Sequence, residues 1–263
     1  MLLAVDIGNT QTVFGLYDDE RLVMHSRIAT TASDTSDELL IKLRGLFELH
    51  GVAPDAADDV AIASVVPPLT EQWRNAGKRL CGSNPLFGTG PLVLNHTVET
   101  GLVIPPHLSR ELGADRIADA VAAIHLYGAP VVVVDFGTAT NIEVVDKNGA
   151  FVGGIIAPGL MTSAEALFSA AARLSKIDIE IPEKVIGTST AGAVQSGLTY
   201  GEIDRTDGLI TRVFAELGYS APVVATGGLS RHIVSLSRTV THRNDDLTLE
   251  GLRLIHARQR CRT

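Results

Sequence analysis

The sequence predicts an α/β protein built from two domains of one design, with mixed sheets flanked by helices and a cleft between the domains. An apolar strand, an acid, a glycine-containing polar turn and a second apolar strand occupy residues 2–18, and the same order reappears at 131–146. A repeat at about half the chain length is typical of a duplicated domain. Strands that follow one another directly, and then alternate with helices, favour mixed sheets.

In the first half, short apolar runs predict strands, and apolar residues at helical spacing predict helices. Ser33, Asp34 and Ser36 are candidates for the N-cap of the first helix. The segment 100–109, which contains two prolines, is interpreted as a linker or a substrate loop. The predicted strands are 2–7, 12–17, 22–29, 60–66 and 91–94, and the predicted helices are 33–50, 69–80 and 110–126.

The second half repeats this pattern of predicted strands and helices from Pro130 onward. Its longest predicted helix contains several glycines, which allow a break within it. The predicted domains are residues 1–112 and 113–263, with the final helix able to pack back on the first domain. The predicted strands are 131–136, 139–146 and 222–226, and the predicted helices are 163–174, 191–217 and 246–258.

Composition narrows the possible partners and compartments. The formal net charge of −8 disfavours binding to a nucleic-acid duplex, which requires a basic face. Basic residues do gather between 253 and 262, and they are interpreted as the solvated end of a helix. No apolar run reaches the roughly 18 residues needed to cross a bilayer, and no signal-peptide pattern is present. Two cysteines, Cys81 and Cys261, fit a reducing cytoplasm.

The first turn, Gly8 to Gln11, has the chemistry of a phosphate-binding loop. Gly8 allows the backbone to approach an anion closely. Successive amides and the side chains of Asn9 and Thr10 can donate hydrogen bonds to phosphate oxygens. Asp6, at the strand end, can hold a hydrated divalent cation. Taken alone, a hairpin with a polar turn is the commoner explanation of such a segment.

The second copy changes that judgement. Asp135 again follows a valine-rich strand and precedes a turn that contains Gly137 and Thr138. Acids after such strands are costly to bury without a partner, so two at matched positions indicate cations or phosphate-bound water. Two turns, one per domain, could hold a polyphosphate from both sides. The repeat therefore points to phosphoryl transfer.

Two further segments are less specific by themselves. Asp115 and Arg116 begin the helix after the proline-containing loop, where an aspartate is ordinarily a cap and an arginine a surface cation. The functional alternative makes Asp115 a general base and lets Arg116 orient substrate or steady charge on phosphate. Gly227 and Gly228 follow a strand. They permit close approach of a flat base or sugar, or simply a tight turn.

In combination these motifs resemble the type III pantothenate kinases, members of the acetate and sugar kinase/Hsp70/actin superfamily with duplicated actin-like (ribonuclease H-like) domains. The resemblance covers essentially the whole chain, in order, and its specificity comes from joint occurrence. The matching segments are 6–10, 64–67, 111–116, 135–140, 153–159 and 246–252.

The resemblance implies ATP-dependent phosphorylation of pantothenate, the first step of coenzyme A biosynthesis, by a cytoplasmic homodimer. It implies Mg²⁺ with the ATP, and a monovalent cation, K⁺ or NH₄⁺, on Asp135. Asp115 would accept the proton of the hydroxyl, and Thr190 would contact substrate from a partner subunit. The implied pantothenate contacts are Gly113, Ala114, Asp115, Arg116 and Thr190. The ATP-binding residues expected from the turns and the resemblance are Asp6, Ile7, Gly8, Asn9, Thr10, Gln11, Thr12, Val13, Thr138, Gly227 and Gly228.

One segment departs from the family pattern. The segment 111–116, which contains Asp115, is called the base motif here. Leu108 and Ser109 stand where family members commonly carry Asn-Pro just before that motif. Two alternatives therefore accompany the kinase hypothesis. One keeps the fold with another small hydroxyl or carboxylate acceptor, because fold does not fix substrate. The other is a catalytically impaired relative that acts as a nucleotide-binding regulator.

Overall fold

The computed structural model describes residues 1–81, 90–171 and 177–261. The chain forms two compact units, of which one comprises Met1–Ala122 with Leu247–Thr263 and the other Ala123–Asp246. Each unit contains one five-stranded mixed sheet, as the repeat predicts. Across the described part of the chain, no helix has the length and apolar character required to cross a bilayer.

The first unit contains five strands. β1 is the central strand of the sheet, and its side chains, Asp6 apart, are all buried. The strand order is β3-β2-β1-β4-β5, with β1–β2 and β2–β3 antiparallel and β1–β4 and β4–β5 parallel. The strands are Leu2–Ile7 (β1), Gln11–Asp18 (β2), Arg21–Ala29 (β3), Asp59–Ser64 (β4) and Leu92–Val93 (β5).

Helices cover both faces of this sheet. Alternate residues of β1 face opposite sides, so Leu3 and Val5 pack in a cluster with the first two helices. Ala4 packs on the other side, in a cluster with the third and last helices. The helices are Ser36–Leu49 (α1), Pro67–Leu80 (α2), Ala114–Tyr127 (α3) and Leu247–Arg260 (α7).

The packing of α3 accounts for where the units divide. The sequence-based boundary at 112/113 assigns α3 to the second domain, whereas most of this helix belongs to the first unit. Ala114, Ile117 and Ala118 are buried against the first sheet together with Ala61 and Ala63 of β4. Small residues let the helix approach the strands closely, which sequence periodicity does not reveal.

The final helix, α7, returns to the first unit. His256 Nε2 and Asp59 Oδ2 lie 2.8 Å apart, and both side chains are buried. Arg253 is buried as well and pairs with Glu250 on the same helix. The interpretation of these basic residues as a solvated tail is therefore wrong for Arg253 and His256. Their helix face carries Leu249 and Leu252 into the core beside them.

The second unit has the same strand arrangement. β6 is central and fully apolar except for Asp135. The order is β10-β9-β6-β7-β8, with β6–β7 and β7–β8 antiparallel and β6–β9 and β9–β10 parallel. The strands are Val131–Phe136 (β6), Ala139–Val145 (β7), Phe151–Pro158 (β8), Val223–Thr226 (β9) and His242–Arg243 (β10).

The helices described in this unit pack against its sheet. Leu160 of α4 and Ile203 and Ile210 of α5 are buried with Val132 and Val134 of β6. The helices are Leu160–Ala170 (α4), Thr190–Leu217 (α5) and Ser230–Ile233 (α6), the last continued by a 3₁₀ turn at Val234–Leu236.

Several helices begin or end at residues other than the predicted ones, because the capping residues fix these positions. Thr35, not one of the predicted candidates, caps α1 in a capping box with Glu38. The helix predicted at 163–174 begins three residues earlier, at Leu160, and its predicted end lies outside the described residues. α5 is continuous over 28 residues despite its glycines. It ends at Leu217, and the C-cap that follows, Gly218, has φ of +77°.

Candidate active site

The first turn joins β1 to β2 at the carboxyl end of the central strand. Asp6 is half-buried there and pairs in register with Val13 of β2 and Ala63 of β4. The Gly8 N–H donates to the Gln11 carbonyl at 3.0 Å and closes the hairpin. A Cβ on Gly8 would lie 2.9 Å from that carbonyl oxygen, so the tight closure requires glycine. The predicted hairpin is confirmed.

The closure also limits which groups can meet a ligand. Because the Gly8 N–H bonds to Gln11, the donors of the turn that face outward must come from the residues after Gly8. Asn9, Thr10 and Gln11 are exposed, whereas Thr12 is buried. Of the residues 6–13 predicted to contact ATP, those in the middle of the range are therefore the most accessible to a ligand.

Asp115 lies in the first turn of α3. The helix begins at Ala114, so Asp115 is its second residue and not the residue that precedes it. Its Oδ1 accepts the backbone N–H of Arg116 at 2.8 Å. Interpreting Asp115 as an ordinary N-cap is therefore wrong in position, although an acid in the first helical turn still complements the helix dipole.

The base motif and the first turn share one edge of the first sheet. The position of a Cβ on Gly113 lies 3.7 Å from Cγ1 of Val65. The Val65 N–H, in turn, donates to the Ile7 carbonyl at 3.1 Å. Ile7 immediately precedes the turn, so the start of α3 lies beside the carboxyl ends of β1 and β4. Residues more than a hundred positions apart are thereby brought to one place within the first unit.

Burial changes the acidity of Asp115. Desolvation raises the pKa of this half-buried carboxyl above its ordinary value. The N–H of Arg116 and the positive charge of its guanidinium oppose the shift but do not cancel it. A carboxylate with a raised pKa is a stronger base, and this environment suits proton abstraction.

In the second unit, Asp135 occupies the position that corresponds to Asp6. It is half-buried on the central strand and pairs with Asn141 of β7 and Thr226 of β9. Gly227, which follows Thr226, has φ of +89°, and a Cβ there would overlap Asp135 Oδ1 and lie 2.6 Å from the Phe136 carbonyl oxygen. Of the two uses predicted for the double glycine, the described contacts support the tight turn.

The second turn exposes Thr138. The Gly137 N–H donates to the Ala139 carbonyl at 3.0 Å, an internal closure that parallels the one at Gly8. The Thr138 carbonyl accepts the Gly159 N–H at 3.0 Å and the Thr162 hydroxyl at 2.6 Å. Sequence reasoning did not assign Thr162, because nothing in its local pattern indicates a contact 24 residues away.

A buried polar network behind this hairpin was also missed. The Thr140 hydroxyl donates to Glu202 Oε1 at 2.5 Å, and Arg205 pairs with the other oxygen of Glu202. Arg205 also donates to the Pro158 carbonyl at 2.7 Å. Polar residues at helical spacing in α5 were the available signal, but a solvated helix face produces the same pattern.

Thr190 is the first residue of α5 and is exposed. The cap of this helix is Ser189, whose hydroxyl accepts the Gly192 N–H at 3.1 Å. The N-cap is therefore the residue before Thr190. Its hydroxyl is not required to cap the helix, which leaves the predicted substrate contact compatible with its position.

The acid of each turn, taken by itself, suits a cation that is held largely by phosphate and water. Within residues 1–81, 90–171 and 177–261, no group of three or more His, Cys, Asp or Glu side chains could hold a metal ion. Mg²⁺ typically takes one or two carboxylates and fills its remaining positions with waters and substrate phosphates. The single carboxylate of Asp6 fits that mode of binding.

Comparison with known proteins identifies the family. A family model described as type III pantothenate kinase matches residues 2–212. The type III pantothenate kinase of Roseiflexus sp. (strain RS-1) is 46% identical over 260 residues, which cover 99% of this chain and 100% of the relative.

Solved structures support the fold. A conserved Baf-family protein from Campylobacter jejuni, proposed as a transcriptional activator, superposes with a TM-score of 0.60 at 19% identity, with 98% of each chain covered. The proposed N-acetylglucosamine kinase of Porphyromonas gingivalis gives a TM-score of 0.53 at 13% identity, covering 98% of this chain and 99% of its own. At such identities the likeness concerns the fold alone. Sequence similarity along nearly the whole length decides the family, and this chain belongs to the type III pantothenate kinases.

Proposed function

We propose that Asp115 is the general base with which this chain carries out its family's reaction, the ATP-dependent phosphorylation of pantothenate that begins coenzyme A biosynthesis. The observation that carries the assignment is the position of Asp115. It is a half-buried acid of raised pKa, placed at the same sheet edge as the first glycine turn. Phosphoryl transfer to a hydroxyl requires a base close to the groups that bind the phosphates.

The proton transfer depends on the environment of the carboxylate. Asp115 would accept the hydroxyl proton of pantothenate as the oxygen attacks the γ-phosphorus of ATP in line. The Arg116 N–H donates to one carboxylate oxygen, and the other oxygen would accept the proton of the hydroxyl. The Arg116 guanidinium would bind pantothenate or steady the charge that develops on phosphate. Gly113 and Ala114 complete the proposed pantothenate contacts.

For ATP, we assign the phosphate contacts to residues 6–13, which include the first turn, and to Thr138. Exposure concentrates the contacts of the first turn on Asn9, Thr10 and Gln11. Gly227 and Gly228 are assigned to the nucleoside part of ATP; neither residue has a Cβ, and Gly227 has φ of +89°. Phosphoryl transfer needs little covalent chemistry from the protein, so positioning and charge supply most of the rate.

Cations complete the charge balance. Asp6 would hold Mg²⁺ through water or directly, and the ion, when bound, offsets the negative charge of the β- and γ-phosphates. We assign K⁺ or NH₄⁺ to Asp135, a half-buried carboxylate at the end of β6. We further propose a cytoplasmic homodimer in which the exposed Thr190 reaches the pantothenate site of the partner subunit.

A coupled assay of ADP release tests the reaction and the base together. The wild-type chain should release ADP only when pantothenate is present, and Asp115→Asn should lower turnover about 10²–10⁴-fold while it still binds ATP. Glu48→Gln, which changes an exposed acid on α1, is the control and should keep its rate. Turnover by Asp115→Asn at the wild-type rate would remove this residue from the mechanism.

The same assay separates the alternatives. ADP release that requires a different hydroxyl or carboxylate compound would favour the other kinase, and ATP binding without release would favour the regulator. Repeating the assay in sodium and then in potassium buffer tests the cation assigned to Asp135. Equal rates in the two buffers would count against it.

A further inference from the structure

In each glycine turn, one backbone carbonyl accepts a hydrogen bond from the hydroxyl of a threonine outside the turn. The Thr30 hydroxyl donates to the Gly8 carbonyl at 2.8 Å. The Thr162 hydroxyl donates to the Thr138 carbonyl at 2.6 Å. Thr30 directly follows β3, and Thr162 lies in α4, the helix that follows β8. The two units therefore form the same kind of hydrogen bond from corresponding parts of the chain.

In the first turn this threonine is fixed by two additional hydrogen bonds. The Thr30 N–H donates to the Thr10 carbonyl at 2.9 Å. The hydroxyl oxygens of Thr12 and Thr30 are 2.9 Å apart, and Thr12 is only 1% exposed. Since the Thr30 proton goes to Gly8, Thr12 is the donor of that pair. Thr30 is thereby locked in one orientation against the turn.

In the second turn the carbonyl of Thr138 is saturated. It accepts both the Thr162 hydroxyl and the Gly159 N–H, which occupy its two lone pairs. A Cβ on Gly159 would lie 2.7 Å from the same oxygen, so the approach of this segment to the turn is as close as a glycine permits.

These bonds matter because carbonyl oxygens repel phosphate. A trans peptide unit is planar, with its C=O and the following N–H on opposite sides. A donor that pulls the Gly8 carbonyl to one side therefore directs the Asn9 N–H to the other. At Thr138, two donors neutralise a carbonyl dipole that would otherwise be available to face an anion.

We propose that Thr30 and Thr162 are positioning residues for ATP, each of which turns a carbonyl away from the phosphates so that neighbouring donors face them. The inference rests on the proposed function, in which the two glycine turns bind ATP. The alternative is that both hydroxyls merely stabilise their turns, in which case their loss lowers the melting temperature and leaves nucleotide affinity unchanged.

Isosteric removal of each hydroxyl separates these two roles. Thr30→Val and Thr162→Val should each raise KM for ATP about 3- to 10-fold, with KM for pantothenate within about twofold of wild type. Thr30→Ser and Thr162→Ser, which retain the hydroxyl, should return KM for ATP to within about twofold. Thr211→Val, which removes a 2.8 Å hydroxyl bond to a carbonyl within α5, is the matched control and should not change KM for ATP.

The inference is overturned if both valine variants keep the wild-type KM for ATP, or if the serine variants fail to restore it. An Asn9→Ala variant distinguishes this failure from failure of the proposed site. A raised KM for ATP in Asn9→Ala beside unchanged valine variants leaves the first turn as an ATP site and removes only the threonines. Unchanged KM in all of these variants removes both the threonines and the first-turn assignment.

Discussion

The Asp115 carboxylate occupies space that only a glycine at position 113 leaves open. A Cβ on Gly113 would overlap Asp115 Oδ1, the oxygen that accepts the Arg116 N–H. The carboxylate therefore folds back over the residue that precedes the helix. Its orientation depends on a backbone position that makes no hydrogen bond to it.

Gly113→Ala should consequently impair catalysis more than folding. The added methyl group meets the end of a movable side chain, so it should displace the carboxylate at little cost in stability. We expect turnover to fall about 10- to 100-fold, because displacements near 1 Å are costly in catalysis. Steady-state kinetics and thermal melts check this. Gly45→Ala, at an open position in α1, is the control. Wild-type turnover in Gly113→Ala would contradict the proposed orientation.

The raised pKa of Asp115 predicts an acid limb in the pH dependence of catalysis. A general base works only when deprotonated, so kcat/KM for pantothenate should fall as pH decreases through the elevated pKa. The inflection should lie above the roughly 3.9 of an ordinary aspartate. Rates measured across acidic pH, with ATP saturating, test this. An inflection below the ordinary value would show that burial does not govern the base.

Asp115→Asn should make the protein more stable at neutral pH. A carboxyl whose pKa is raised by folding contributes stability that is present below its unfolded pKa and is lost as pH rises through the folded pKa. The neutral amide removes that loss. We expect a higher melting temperature than wild type near pH 7, and a difference that shrinks toward pH 4. A variant that is less stable than wild type at neutral pH would refute the argument.

Gly227→Ala should destabilise the second unit. Its φ of +89° disfavours an L-residue, and a Cβ would lie 2.6 Å from the Phe136 carbonyl oxygen, which belongs to a central strand. We expect a loss of about 2 kcal/mol or more in unfolding free energy. Gly197→Ala, in open space on α5, should instead be neutral or stabilising by up to about 1 kcal/mol. Urea denaturation distinguishes them, and equal stabilities would contradict the steric argument.

Arg205 should stabilise the folded protein because it pairs with the buried carboxylate of Glu202. Glu202 is 3% exposed and pairs with Arg205, which also bonds to the Pro158 carbonyl. Arg205→Met leaves that carboxylate without its cation, and we expect a loss of about 2–3 kcal/mol. The double variant Arg205→Met/Glu202→Gln should recover more than half of it. Arg212→Met, on the exposed side of α5, is the control. Failure of the double variant to recover would assign the loss to packing.

The candidate site could be proposed from the sequence because its signals are local. An apolar strand that ends in an acid and a glycine turn is a contiguous pattern, and its second copy identified both Asp6 and Asp135. The segment 113–116 was assigned through resemblance, since a helix start with an aspartate is common. Helix bounds and caps were less accurate, because Thr35 and Ser189 compete with neighbouring residues of the same chemistry.

The sequence by itself determined the duplication, the strand–turn–strand units and the family, because these depend on the order of neighbouring residues. Only the tertiary structure decided that α7 returns to the first sheet, where His256 meets Asp59, and that α3 packs there as well. It alone placed Thr30 and Thr162 against the turns. Such contacts join residues far apart in the chain, and they depend on how sheets and helices pack, which local periodicity does not encode.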